Sequence, residues 1–292
     1  MVKALRLVIL LVCALVGLSG TAFSDTVIHQ ERSLYRNLFV TEDSDTRCLR
    51  FSTHTNTVQT CFALEEPEKV LFDCNKMILG SLLLRPNPRR ILMVGLGGGT
   101  LTSTLSKLLP NATIDVVEID PAMVRVAKEY FNFKPTSRVH ITVEDGRVFV
   151  KRAVAKGAKY DLVILDAFDD LYIPTHMLTV QFFWEVQKIM APDGVLAANT
   201  YCNTKRYDRE SATYQAVFGP FFNLKKFWKN TRVVIAEQDG LPSEEALAQN
   251  AKLLQKKFAR FGIETSWLLP LFSTEVDWDE RAPTLNDQFL PF

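Results

Sequence analysis

Carboxylates stand at the ends of successive apolar runs in this sequence. Glu118 closes Thr113–Glu118, Asp145 follows Val139–Val143, and Asp166 closes Asp161–Asp166 with Asp169 three residues on. Upstream, Ile91–Val94 empties into Gly95-Leu96-Gly97-Gly98-Gly99-Thr100. Glycines where a strand turns into a helix let the backbone turn tightly and approach a ligand, so Gly95, Gly97, Gly98 and Gly99 are candidates for a nucleotide-type turn; close strand-to-helix packing is the other reason to place them there. A carboxylate at the end of the next strand, about 20 residues on, suits the hydroxyls of a ribose, and Glu118 fills that position. Asp145, beside Gly146, can meet the exocyclic amine of an adenine or cap the following helix. Asp166 and Asp169 can hold an ammonium group or take a proton from an amine nucleophile. Asp120, before Pro121, and Asp170 read as capping residues.

These residues need a scaffold that gathers strand ends at one edge. From Arg90 onward, buried-type strands at Ile91–Val94, Thr113–Glu118, Val139–Val143, Asp161–Asp166 and Val195–Thr200 alternate with helical patterns at Thr100–Leu109, Pro121–Phe131, Arg147–Ala155 and Thr179–Met190. That alternation predicts an α/β fold, a Rossmann-like, doubly wound, mostly parallel sheet with ligands at the carboxyl ends of its strands. Ahead of it, Ser33–Val40, Arg47–Ser52 and Thr57–Phe62 read as a small antiparallel sheet. A helical pattern runs from Pro67 to about Leu83 and is broken by Pro86-Asn87-Pro88. Later, Val217–Phe222, Lys225–Trp228 and Thr231–Glu237 read as strands or connections, and Ser243–Phe261 as a helix capped by Ser243.

The first 24 residues differ from the rest. Two positive charges precede an unbroken apolar run, Leu7–Leu18, and small residues follow at Thr21-Ala22-Phe23-Ser24. This is the profile of a signal peptide cut after Ala22 or Ser24, or of an uncleaved membrane anchor, and it predicts an exported or membrane-anchored chain. The expected organisation is 1–24 leader or anchor, 25–66 small β-domain, and 67–292 nucleoside-binding catalytic domain. Thirty-four Lys and Arg face thirty-three Asp and Glu, a balance without the basic footprint of a nucleic-acid binder. Four scattered histidines and the absence of CxxC spacing suggest no metal site. Cys48 and Cys61 fall on neighbouring expected strands, where a cross-strand bridge and two ordinary buried thiols both fit.

Taken in order, Gly98-Gly99-Thr100-Leu101, Val117-Glu118-Ile119-Asp120-Pro121, Glu144-Asp145-Gly146 and Asp166-Ala167-Phe168-Asp169 resemble the spermidine synthase, or polyamine aminopropyltransferase, family. Glu31-Arg32-Ser33-Leu34-Tyr35 and the strands ending near Gln59 resemble that family's N-terminal β-domain, so the likeness spans residues 30 to 236. The resemblance implies a transferase that moves an aminopropyl group from decarboxylated S-adenosylmethionine to a small-molecule amine, with no permanently bound cofactor, and homo-oligomers. By position it implies that Glu118 holds the ribose, Asp145 the adenine and Gln59 the nucleoside side. Asp166 would orient and deprotonate the amine, with Asp169 as an ammonium partner.

The likeness is uneven. Gly97 stands where the family's glycine loop usually holds an aspartate, and Cys74-Asn75 stands where it has a Tyr-His pair. The nucleoside half is therefore closer to the family than the amine half. An S-adenosylmethionine-dependent methyltransferase and a non-catalytic exported polyamine- or nucleoside-binding relative are the other readings these residues allow.

Overall fold

The computed structural model describes residues 25–55, 57–168 and 172–288. The leader segment and Asp169 lie outside the described residues. A four-stranded antiparallel sheet comes first, in the order β1 (Thr26–Arg32), β2 (Asn37–Glu42), β3 (Thr46–Arg50), β4 (Thr60–Ala63). A short helix, α1 (Asp73–Leu79), runs on through a 3₁₀ turn at Gly80–Leu83.

Then strands and helices alternate: β5 (Arg90–Val94), α2 (Thr100–Leu108), β6 (Thr113–Glu118), α3 (Pro121–Tyr130), β7 (Val139–Val143), α4 (Gly146–Ala155), β8 (Tyr160–Leu165), α5 (Val180–Ile189) and β9 (Met190–Thr200). The chain continues with α6 (Tyr207–Phe218), β10 (Phe222–Lys226), β11 (Thr231–Glu237), α7 (Glu244–Ala259) and α8 (Thr265–Leu268). The large sheet has the order β10-β11-β9-β8-β5-β6-β7. Its strands from β5 to β9 run parallel, and β11 and β10 close one edge antiparallel.

Strand pattern explains the two-sided packing. Successive side chains of a strand point to opposite faces, and parallel strands covered on both faces read as continuous apolar runs. Ile91 and Met93 join Ile114, Val116, Leu162 and Ile164 under α2 and α7 on one face. Leu92 and Val94 join Val117, Val163 and Leu165 against Phe182, Phe183 and Val186 of α5 on the other. A third cluster joins the sheets: Leu38, Val40, Leu49 and Phe62 pack on Ala122, Met123, Val126 and Phe131, which fixes the small sheet over α3. Helix starts follow side-chain caps. Asp120 accepts from the Ala122 N–H at 2.9 Å, Asp145 from Val148 at 3.0 Å, Thr179 from Phe182 at 3.2 Å and Ser243 from Ala246 at 3.3 Å.

Three expectations are corrected. β1 lies before the expected first strand, at residues whose side chains are mostly exposed and so carry little periodic signal. The helix after Pro67 starts only at Asp73, with Phe72 extended ahead of it. The segment around Val217 is the end of α6, not a strand or connection. The inner face of α6 carries Glu210, Ser211 and Thr213, all fully buried, so the apolar period that marks a helix is missing.

Candidate active site

The sheet reverses its winding between β5 and β8, and side chains at the carboxyl ends of these strands open into a cavity of about 630 Å³. Two hydrogen bonds stitch this edge: Gly95 N–H donates to Val117 O and Asp166 N–H to Val94 O, both at 2.8 Å. The small sheet roofs the cavity. Arg36, from the β1–β2 turn, donates to the Phe168 carbonyl at 2.8 Å and lies over the Phe51 ring at 4.4 Å.

The glycine turn divides its work. Gly95 has φ +98, and a Cβ there would fall 2.2 Å from the Asp166 carbonyl oxygen, so only glycine fits where β5 meets the end of β8. Gly97 has φ +53 and opens onto free space, lining the cavity. Gly98 and Gly99 do not line it. A Cβ at Gly98 would meet the Thr60 methyl at 2.5 Å and one at Gly99 the Phe133 ring at 2.6 Å, so these two glycines seat the turn against β4 and the chain after α3. Of the two roles the sequence allows these glycines, close packing is the one their neighbours display.

Glu118 lies at the cavity wall, 8% exposed. Its two oxygens accept from the backbone N–H groups of Leu96 at 2.9 Å and Asp120 at 3.0 Å. Desolvation pushes its pKa above the ordinary carboxylate value, and those two N–H groups and Arg36 pull it back. Each oxygen keeps a lone pair for a hydroxyl donor. Asp145 caps α4 with one oxygen, as expected, and its other oxygen faces His176 Nε2 at 3.0 Å where the residue lines the cavity. Gln59 lines the cavity too, its backbone N–H donating to Leu49 O at 2.8 Å.

Asp166 is a second buried carboxylate of the cavity held above its ordinary pKa. Burial pushes its pKa up to about 6, offset in part by Asn199, whose Nδ2 donates to Oδ1 at 2.8 Å. A carboxylate with that pKa is ionised at neutral pH yet basic enough to take a proton in a transition state. Tyr201 and Cys74 border the same space; burial, then the Asp166 charge, push the Cys74 thiol up to about 12. It is a neutral wall residue, not a nucleophile.

Behind the loop that follows β8, Tyr172 donates to Glu210 at 2.8 Å, and Thr200 donates to the same carboxylate at 2.9 Å. This buried group ties the loop to β9 and α6. Sequence reasoning did not find Asn199, Arg36, His176 or Lys229. Asn199 alone left a signal, as a polar residue at the end of the apolar run Val195–Ala198.

An open α/β sheet with a glycine turn and carboxylates at its switch point is the arrangement in which domains of this class take a small molecule, at the carboxyl ends of their strands. Comparison with known proteins then narrows the class. The spermine/spermidine synthase domain matches residues 73–237, more than half of the chain. A polyamine aminopropyltransferase of Vibrio vulnificus strain CMCP6 is 42% identical over 269 residues, covering 91% of this chain and 90% of that one. Among solved structures, a probable spermidine synthase from Corynebacterium glutamicum superposes with a TM-score of 0.66 at 18% identity, over 88% of this chain and 98% of the other. A spermidine synthase in complex with the transition state analogue AdoDATO gives 0.58 at 18% identity, over 81% and 88%. The chain belongs to the spermine/spermidine synthase family.

Proposed function

We propose that this protein is a polyamine aminopropyltransferase, which moves an aminopropyl group from decarboxylated S-adenosylmethionine to an amine. The observation that carries the reading is the 42% identity to the Vibrio vulnificus polyamine aminopropyltransferase across nine-tenths of both chains. The cavity supports it, because its one wall of nucleoside-type groups faces a buried carboxylate of raised pKa.

In this reading Glu118 accepts from the ribose hydroxyls, Asp145 from the adenine amine, and Gln59, Gly95 and Gly97 shape the nucleoside side. A protonated amine is no nucleophile. Asp166 takes the proton, the amine lone pair forms a C–N bond to the aminopropyl carbon, and the C–S bond breaks. Its electron pair goes to the sulfonium sulfur, which leaves as neutral methylthioadenosine. Asp169 attracts the reacting ammonium. Holding both substrates in one cavity supplies much of the rate.

Export, and function as a homo-oligomer, belong to the same reading. The leader-like first 24 residues and a disulfide between Cys48 and Cys61 support export, since such bridges persist in oxidising compartments.

The test is calorimetric titration of the full chain with methylthioadenosine, decarboxylated S-adenosylmethionine and S-adenosylmethionine, followed by product analysis with an amine present. Tight binding of the decarboxylated form, its loss in Glu118→Ala, and amine-dependent release of methylthioadenosine are expected. Preference for S-adenosylmethionine, with methylated product, would overturn the reading.

A further inference from the structure

The cavity has a second charged end that the chemistry above does not use. Asp73, the first residue of α1, lines it, and so does Lys229 from the tip of the β10–β11 hairpin. Lys229 Nζ sits 2.8 Å from Asp73 Oδ2. The partners are unequal: the Asp73 side chain is 15% exposed and fixed on a helix, whereas that of Lys229 is 64% exposed on a flexible arm. Cys74, next to Asp73 in the chain, also lines the cavity, and the charges of Asp166 and Asp73 both push its thiol up.

We propose that Asp73 is the site for the far ammonium of a diamine acceptor, and that the Lys229 ammonium fills that site until the acceptor displaces it. The proposal rests on the aminopropyl-transfer reading. An acceptor with two amino groups gives up a proton only from the end that attacks. Its other end stays charged at neutral pH, as a lysine does, and a desolvated charge needs a partner. Asp166 and Asp169 serve the reacting end, and Asp73 stands at the other. Lys229 is itself a primary alkylammonium on a carbon chain, so exchanging it for the acceptor's far end conserves the charge on Asp73. An ion pair with one well-exposed partner holds weakly enough to exchange. A monoamine has nothing to offer Asp73 and leaves the Lys229 pair in place. Asp73 therefore sets the preference for two-ended acceptors, and Lys229 sets the concentration at which they enter.

The experiment measures KM and kcat of the full chain for 1,4-diaminobutane and for n-butylamine, with decarboxylated S-adenosylmethionine as donor. Asp73→Asn is expected to raise KM for the diamine about tenfold or more and to leave n-butylamine unchanged, as for loss of a hydrogen bond to a charged group. Lys229→Met is expected to lower KM for the diamine by about two- to fivefold, the scale of an exposed ion pair, again without effect on n-butylamine. kcat changes little in either variant, and methylthioadenosine affinity, which reports an intact fold, stays the same. A variant at Asp73 that shifts both amines alike, or neither, overturns the acceptor site. An unchanged diamine KM in Lys229→Met overturns the displacement. Failure of the underlying reading looks different: the unaltered chain would turn over neither amine.

Discussion

Asn199 Nδ2 donates to Asp166 Oδ1 at 2.8 Å, and it is the hydrogen bond that holds this buried carboxylate in its ionised form against desolvation. Since the pKa is raised to about 6, the base is lost as pH falls through that value. kcat/KM for transfer is expected to drop on the acid side with a midpoint near 6, measured between pH 5 and 8. Asn199→Leu removes the donor, so the acid limb should move up by about one pH unit, with turnover recovering in more alkaline buffer. A limb that stays at 6 would show that another group sets it.

Keeping Asp166 ionised in a desolvated site costs stability. With the pKa raised from an ordinary 3.8 to about 6, the folded state binds the proton more tightly than the unfolded one. The penalty is absent below about pH 4, grows between 4 and 6, and is complete above 6. At pH 7.5 it is on the order of 2–3 kcal/mol. Asp166→Asn should therefore lower the transfer rate by about 10²–10⁴ and raise the urea midpoint at pH 7.5, with no gain at pH 4. Equal stability of the two proteins at both pH values would contradict the burial argument.

How far the site could be read in advance follows from where each residue's partners lie. Glu118, Asp145 and Asp166 were legible because each ends an apolar run, and a parallel sheet brings all such ends to one edge. Asp73 and Lys229, 156 positions apart, meet only because the β10–β11 hairpin folds back over α1, and nothing local in either segment announces that. α6 was hidden for the same reason. Its buried Glu210 accepts from Tyr172 and Thr200 through one oxygen, and its Ser211 accepts from Arg232, partners that exist only once the sheet is assembled.

The glycine turn offers a graded test of close packing. Gly95→Ala places a methyl 2.2 Å from the Asp166 carbonyl oxygen at φ +98, and loss of soluble, folded protein is the expected result. Gly97 has nothing within 4 Å of an added Cβ, and its φ of +53 is one that aspartate tolerates. Gly97→Asp should fold, with a thermal midpoint within a few degrees of the parent. It should also discriminate more sharply between the two nucleosides, because a carboxylate there repels the carboxylate of S-adenosylmethionine and attracts the ammonium of the decarboxylated form. Titration of both ligands into parent and variant measures this; an unchanged ratio of affinities would place the aminopropyl chain elsewhere.

The last prediction joins covalent chemistry to the site wall. Cys48 and Cys61 are directly opposite each other on β3 and β4 and form a disulfide. The residue before Cys61, Thr60, hydrogen-bonds Thr100 at 3.1 Å and lies where any side chain on Gly98 would go, so β4 braces the glycine turn. Closing a loop of 13 residues removes about 3 kcal/mol of chain entropy from the unfolded state. Reduction should therefore lower stability by about that amount and weaken methylthioadenosine binding through the loosened turn. Thiol titration of the denatured, unreduced protein isolated from its host reads the compartment as well. Of five cysteines, two are bridged and Cys13 lies in the leader-like segment, so two reactive thiols mark a cleaved, exported chain and three an anchored one. Five would mean that the bridge never formed where the protein works, and export would fall with it.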